Sequence, residues 1–156
     1  MHSIDIEGKE LSSLVKNDER AALYAVRHLN IAQIPADRDL PLAMYAVAAW
    51  ESAAMEVVRK HPKVAELKGS SDFAVAHVAT NWESVALEVV RRQPRIAKIG
   101  GNGSDGMIWS VAHGASGKHL SAAKEALKRI ELAALTDSHG RTLAELVPVW
   151  HPQLRR

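Results

Sequence analysis

From Trp50 to Pro62 the chain reads WESAAMEVVRKHP, and from Trp82 to Pro94 it reads WESVALEVVRRQP. The two stretches have the same length and agree at most of their positions. Self-similarity at a fixed period of roughly 20–50 residues is typical of architectures in which one small unit is stacked along an axis. Because such a unit cannot bury its apolar face alone, neighbouring units must pack on each other, and the resulting surfaces most often serve binding.

Two further patterns recur with nearly the same spacing. A short apolar pattern occurs at 11–15, 43–47, 75–79, 111–115 and 143–147, evenly spaced except for a longer interval between the third and fourth copies. Six residues before these segments stand Asp5, Asp37, Gly69, Asp105 and Asp137, and blocks of the Ile-Ala-x-Ile type begin at Ile31, Val64, Ile96 and Leu132. The recurrence predicts a single repeat domain spanning 1–156, with full units at about 5–36, 37–68, 69–104 and 105–136 and a closing partial unit at 137–156.

Each unit is predicted to contain a loop, a short helix, a turn, a longer helix and a second loop. Apolar residues at helical spacing form one stripe along the longer helices, namely Ala53, Ala54, Val57 and Val58, matched by Val85, Ala86, Val89 and Val90. Asn17 and Asn81 are candidate N-caps, and Pro62 and Pro94 are expected to end the longer helices. The segment Gly100–Ser104 is interpreted as a flexible loop insertion.

Composition limits the class of protein. Of the 156 residues, 47% are hydrophobic and 4% aromatic, which favours closely packed helices over a β-sandwich. Cysteine is absent, which excludes disulfides and thiolate metal sites. No secretory signal and no apolar run of spanning length is present, so a cytoplasmic location is predicted, with export by a signal-independent route left open. We expect no membrane partner.

The segment from Asp137 to Ala144 resembles the opening pattern of the ankyrin repeat, D-x-x-G-x-T-P-L-H-x-A. The D-x-x-G portion recurs at 5–8, and segments 75–79 and 109–115 carry the histidine and the following small residue. Two features depart from the family: Trp-Glu-Ser replaces the turn between the helices, and the Ile-Ala-x-Ile block replaces the usual ending. The resemblance implies an all-α solenoid of four to five ankyrin-like helix-turn-helix repeats, with a helical solenoid of another kind as the alternative.

The resemblance also implies where a partner would bind. In ankyrin-like stacks the loop tips and the positions just before the second helix face partners. In this chain those positions carry Arg38, Trp50, Phe73, Trp82, Met107, Trp109, Lys118 and Arg141. Trp and Arg are frequent interface hot spots. Trp50 and Trp82 could equally be packing residues between repeats, and Trp150 is expected to cover the open end of the core. The predicted function is therefore non-enzymatic binding of another protein, in an adaptor, inhibitor, immunity-type or effector role.

An alternative surface is basic. Arg59, Lys60, Arg91, Arg92, Arg95, Lys128 and Arg129 recur near the ends of successive longer helices. They could complement the helix dipoles, or they could form a stripe that binds nucleic acid or an acidic ligand. Self-association through exposed aromatic residues is a further alternative.

The sequence contains no recognisable motif for catalysis or for binding a cofactor or metal. It contains no G-x-S-x-G motif, no phosphate-binding loop and no cysteine nucleophile. His77 and His113 occupy matching repeat positions, which lie too far apart to share one zinc ion, so we interpret them as structural hydrogen-bonding residues. We therefore predict neither a catalytic site nor a cofactor or metal site.

Overall fold

The computed structural model describes residues 2–102 and 108–154, and within these ranges the chain is mostly helical. Helices make up 70% of the structure, and the described ranges contain thirteen α-helices and one small two-stranded sheet. In chain order the helices are α1 (His2–Asn17), α2 (Glu19–Arg27), α3 (Leu29–Ala32), α4 (Leu42–Ala49), α5 (Glu51–Lys60), α6 (Pro62–Ala65), α7 (Val75–Ala79), α8 (Glu83–Arg92), α9 (Pro94–Ala97), α10 (Val111–Lys118), α11 (Leu120–Leu127), α12 (Ile130–Ala133) and α13 (Leu143–Trp150). The strands are β1 (Gly100–Asn102) and β2 (Ile108–Ser110), and 3-10 turns lie at Asp37–Asp39 and Pro152–Leu154.

Within the described ranges, nine of the α-helices lie in two rows. In the first row α1, α4, α7, α10 and α13 contact one another in that order, and in the second row α2, α5, α8 and α11 do the same. Residues of the predicted apolar stripe are buried: Ala53, Ala54, Val57, Val58, Val85, Ala86, Val89 and Val90. Because these side chains are small, the helices of the two rows can approach closely, and the core is continuous along both.

The connections between units are built alike. The amide of the first residue of α4, α7, α10 or α13 donates to the carbonyl that ends the preceding Ile-Ala-x-Ile block. These four bonds are Leu42 to Ile34 (2.9 Å), Val75 to Leu67 (2.8 Å), Val111 to Ile99 (2.8 Å) and Leu143 to Leu135 (2.9 Å). Antiparallel pairing extends three of the connections, through the bridges Pro35–Pro41 and Thr136–Thr142 and through the β1–β2 sheet.

Several local predictions are wrong. Asp5 lies inside α1 rather than in a loop. Asn17 is the last residue of α1, and the N-cap of α2 is Asp18, whose carboxylate accepts the amides of Arg20 and Ala21. The N-cap position of α8 is occupied by Trp82 rather than Asn81.

The segments after the longer helices also differ from the prediction. The prolines at 62 and 94 follow the ends of α5 and α8, as expected, but each also begins a short helix, α6 or α9. Short helices therefore stand where loops were predicted, because proline at the first helical position loses no hydrogen bond. Gly100–Asn102 is strand β1 rather than flexible loop, whereas residues 103 and 104, and with them the predicted unit boundary, lie outside the described residues.

One hydrogen bond is repeated between successive units. The last carbonyls of a helix have no partner within it, and here a ring nitrogen from the next unit bonds to one of them. The four contacts join Trp50 Nε1 to the carbonyl of Val15 (2.8 Å), Trp82 Nε1 to that of Val47 (2.8 Å), His119 Nε2 to that of Thr80 (2.9 Å) and His151 Nε2 to that of Ser116 (2.7 Å). Trp50 and Trp82 are thus packing residues, and His119 and His151 are their counterparts.

Ion pairs join successive helices of the second row. Arg27 on α2 makes two hydrogen bonds to Glu56 on α5, of 2.8 and 2.9 Å. The next two pairs are Arg59 with Glu88 (3.2 Å) and Arg91 with Glu125 (3.3 Å). Hydrogen bonding to Arg27, together with that to His61, lowers the pKa of Glu56 to about 2. A carboxylate of this kind stabilises the fold in its ionised form.

Replacing Trp82 by Phe tests the repeated hydrogen bond. The substitution keeps an aromatic ring but leaves the carbonyl of Val47 without its donor. We expect the free energy of unfolding, measured by urea denaturation, to fall by about 1–2 kcal/mol. The matched control is Trp150→Phe, because the Trp150 indole makes ring contacts but no hydrogen bond within the described residues. An equal fall in the free energy of unfolding in the two variants would contradict the role that we assign to the indole N–H of Trp82.

The Arg27–Glu56 pair predicts a pH dependence. Because the pKa of Glu56 is lowered from 4.5 to about 2, its contribution is complete above pH 4.5 and is lost as the pH falls towards 2. We therefore expect Glu56→Gln to unfold at lower urea concentration than the wild type at pH 7, with a difference that shrinks on acidification. Glu66→Gln is the control, since Glu66 is exposed and its replacement removes the same negative charge. A difference that stays constant with pH would contradict the prediction.

Candidate functional site

A pocket of about 320 Å³ opens between α7 and α10, next to strand β2. Its walls are formed by Phe73, His77, Val78, Asn81, Trp109, Gly114 and Lys118. Three of these residues, Phe73, Trp109 and Lys118, were predicted from the sequence as contact residues. They come from a loop, a strand and the end of a helix, and the fold brings them to one place.

His77 holds the loop before α7 and strand β2 in position. Its Nδ1 accepts the amide N–H of Ala74 (3.2 Å), so its Nε2 carries the proton and donates to the carbonyl of Trp109 (3.1 Å). Burial lowers the pKa of His77 to about 4, and the charges of Lys118 and Lys68 act in the same direction. The imidazole is therefore neutral near pH 7, and it has the structural role expected from the sequence.

Two glycines shape the pocket. A Cβ atom on Gly101 of β1 would lie 2.8 Å from Phe73 Cδ1 and 2.9 Å from His77 Cε1, so a side chain there would displace the ring of Phe73. Gly114 on α10 corresponds to Val78 on α7, since both are the fourth residue of their helix. A Cβ on Gly114 would make ordinary contact with His77 Cδ2, at 3.9 Å. Larger side chains at position 114 would occupy the pocket itself.

Lys118 places a positive charge at the pocket. Its Nζ donates to Asn81 Oδ1 (2.5 Å) and, more weakly, to the carbonyl of His77 (3.4 Å). Although part of the residue is exposed, the surrounding protein desolvates the ammonium group and lowers its pKa. Within the described ranges, no carboxylate forms an ion pair with Lys118.

Behind Trp109 lies an aromatic cluster. The Trp109 ring is 5.4 Å from that of Trp150 and 5.7 Å from that of His113. His113 Nδ1 lies 2.6 Å from Ser110 Oγ, which in turn accepts the amide of His113 as the N-cap of α10. Trp150 therefore supports Trp109 from the end of the first row, consistent with the covering role expected for it.

The other predicted contact residues lie elsewhere or have structural partners. Arg38 is at the tip of a tight turn with φ of 60°, and its carbonyl accepts a hydrogen bond from Ser70 Oγ (2.9 Å). Arg141 pairs with Asp137 (3.0 Å), and Met107 lies outside the described residues. Lys118 is the last residue of α10, so the position before the second helix that matches Trp50 and Trp82 belongs to His119, and the predicted register was off by one.

Four of the seven residues of the basic stripe are paired within the chain. Besides the pairs of Arg59 and Arg91, Arg92 lies 3.2 Å from Glu88 and Lys128 lies 3.6 Å from Glu125. Lys60 lines a second pocket of about 300 Å³, Arg95 is exposed, and Arg129 Nε is buried without a partner in the described structure. The stripe is thus interleaved with acids rather than continuous.

Sequence reasoning missed Val78, Asn81, Gly101 and Gly114. A signal existed for Gly114, because residues 75–79 read VAHVA and residues 111–115 read VAHGA. Loss of a valine side chain at a repeated position indicates a local cavity. No comparable signal identified Gly101, whose importance depends on how strand β1 lies over Phe73.

Across residues 2–102 and 108–154, no three His, Asp or Glu side chains cluster as metal ligands, and no helix has the length and apolar character to cross a bilayer. Comparison with protein-family models, with curated proteins and with solved structures finds no match to this chain.

Proposed function

We propose that this chain is a divergent ankyrin-like repeat module that binds another protein through the pocket between α7 and α10. The proposal includes a solenoid of four to five repeats and a non-enzymatic role as an adaptor, inhibitor, immunity-type protein or effector. The recurring connections, the ring-to-carbonyl hydrogen bonds and the ion pairs along the second row support the repeat interpretation. The absence of cysteine suits a cytoplasmic location.

The observation that carries the proposal is the convergence of Phe73 and Trp109 on one open, mainly apolar pocket. Aromatic residues around a concave site are frequent binding hot spots because they bury large areas at low entropic cost. Neighbouring elements hold both side chains: the Phe73 ring lies 5.1 Å from that of His77, and Trp109 rests on Trp150. A preformed site of this kind loses little freedom on binding.

The basic stripe supports the alternative, binding of nucleic acid or an acidic ligand, less well. Arg59, Arg91, Arg92 and Lys128 already have carboxylate partners, so each would have to exchange an ion pair for a phosphate. Counterion release would give such binding a steep salt dependence. The same experiment can therefore separate the two surfaces.

Filling the pocket should abolish the complex. Gly114→Val places on α10 the side chain that Val78 already has on α7, and it leaves Phe73 and Trp109 intact. In affinity capture from a lysate of the source organism, we expect the tagged wild type to retain a protein that the variant loses by more than 10-fold. Partner identities and amounts are compared by mass spectrometry at low salt and at about 0.3 M salt.

The control variant is Lys60→Glu with Arg95→Glu, which alters the basic stripe at two residues outside the ion pairs named above. It should retain the partner, and thermal unfolding should show that both variants are folded. If the charge-reversed variant loses the partner and Gly114→Val keeps it, the stripe is the binding surface and the proposal is wrong.

A further inference from the structure

We infer that the pocket recognises a partner segment in which a large apolar side chain stands beside an acidic side chain. This inference rests on the proposed function and specifies the chemistry of the partner. The apolar side chain would enter between Phe73 and Trp109, and the carboxylate would pair with Lys118.

The pocket is large enough to take one large side chain of a partner. Its volume of about 320 Å³ lies at the lower end of the range for small-molecule clefts. The two aromatic rings and Val78 offer apolar walls, and Gly114 on the facing helix places no side chain in the space between them. One Leu, Phe or Trp side chain of a partner would contact both rings and Val78.

The charge at the pocket favours an acidic neighbour. An ammonium group has three N–H donors, and the described structure shows two acceptors for Lys118 Nζ, Asn81 Oδ1 and the carbonyl of His77, both uncharged. His77 is neutral near pH 7 because burial lowers its pKa, and the positive charges of Lys118 and Lys68 lower it further. A carboxylate from a partner would complete the coordination of Lys118 and neutralise a desolvated cation.

Lys118 is also placed for selectivity. It is the last residue of α10 and forms part of the pocket wall together with apolar residues, so an apolar and a charged group can be bound together. A partner with Lys or Arg beside the apolar residue would meet like charge in a partly desolvated site, which costs affinity. Segments with an uncharged neighbour would bind through the apolar contact alone.

The test uses fluorescent peptides and the full chain. Acetylated and amidated peptides carry Leu, Phe or Trp beside Glu, Gln or Lys in a Gly/Ser background, so that any carboxylate belongs to a side chain. Fluorescence polarisation gives Kd values, with protein concentrations up to about 1 mM. We expect the best Glu peptide to bind about 5- to 10-fold more tightly than its Gln counterpart, and the Lys peptide to bind most weakly.

Variants assign the preference to one residue. Lys118→Met should remove the difference between the Glu and Gln peptides while leaving weak apolar binding, and Lys118→Arg should retain the difference. Lys124→Met, on the exposed face of α11, is the control for loss of a positive charge and should behave as the wild type. Gly114→Val should abolish binding of every peptide, and NMR should show the largest shift of any indole N–H signal at Trp109.

The outcomes distinguish this inference from the proposed function. Equal Kd values for Glu and Gln peptides, or no binding of any peptide at about 1 mM, would overturn the inference. A natural partner that is lost with Gly114→Val but retained with Lys118→Met would overturn it while leaving the proposed function intact. Retention of that partner by Gly114→Val would instead contradict the proposed function.

Discussion

The fold depends on satisfying the carbonyl groups at the ends of the first-row helices. In α4, for example, the amide of Trp50 donates to the carbonyl of Ala46. The carbonyl of the following residue, Val47, therefore has no donor within the helix. The indole of Trp82 donates to it, and the same ring packs against the hydrophobic core. One side chain thus satisfies a carbonyl acceptor and adds apolar contact with the core. The requirement is a planar ring with an N–H group, which is why His119 and His151 can replace tryptophan.

The second row is held by ion pairs, and the matching positions of its first and last helices carry other residues. In the first unit the position that matches Glu56 is occupied by Tyr24, which stacks on His28 at 4.5 Å and offers no carboxylate. At the other end Lys128 follows α11 and pairs with Glu125 of its own unit. Three Arg–Glu pairs therefore join the four helices of this row, and Tyr24 and Lys128 occupy the outer positions of the pattern.

Features that repeat could be predicted from the sequence, and features that break the repeat could not. The apolar stripe of α5 and α8 was predictable because helical spacing and a second copy both mark it. His119 was missed because similarity of sequence aligns tryptophan with tryptophan, whereas the structure requires only a ring donor. The short helices α6 and α9 were missed because proline was interpreted as a stop signal alone. The pocket could be predicted only in part: Phe73 and Trp109 stood out as aromatic loop residues, but their meeting depends on long-range placement of β1 and β2.

The pocket arises where the regular array is interrupted. The interval between the repeated segments 75–79 and 111–115 is longer than any other, and the additional chain includes the β1–β2 hairpin. This hairpin places Trp109 beside Phe73. Because Gly101 has no side chain, the backbone of β1 can lie directly on the rings of Phe73 and His77. On the facing helix the valine of the preceding unit is replaced by Gly114. Regular units supply rigidity, since each of the first three is held to the next by a hydrogen bond and an ion pair, and the fourth is held to the closing unit by the hydrogen bond of His151. Two departures from regularity, the β1–β2 hairpin and Gly114, leave a concave apolar surface that the chain's own side chains do not cover. A partner that buried this surface would gain free energy from the apolar contact.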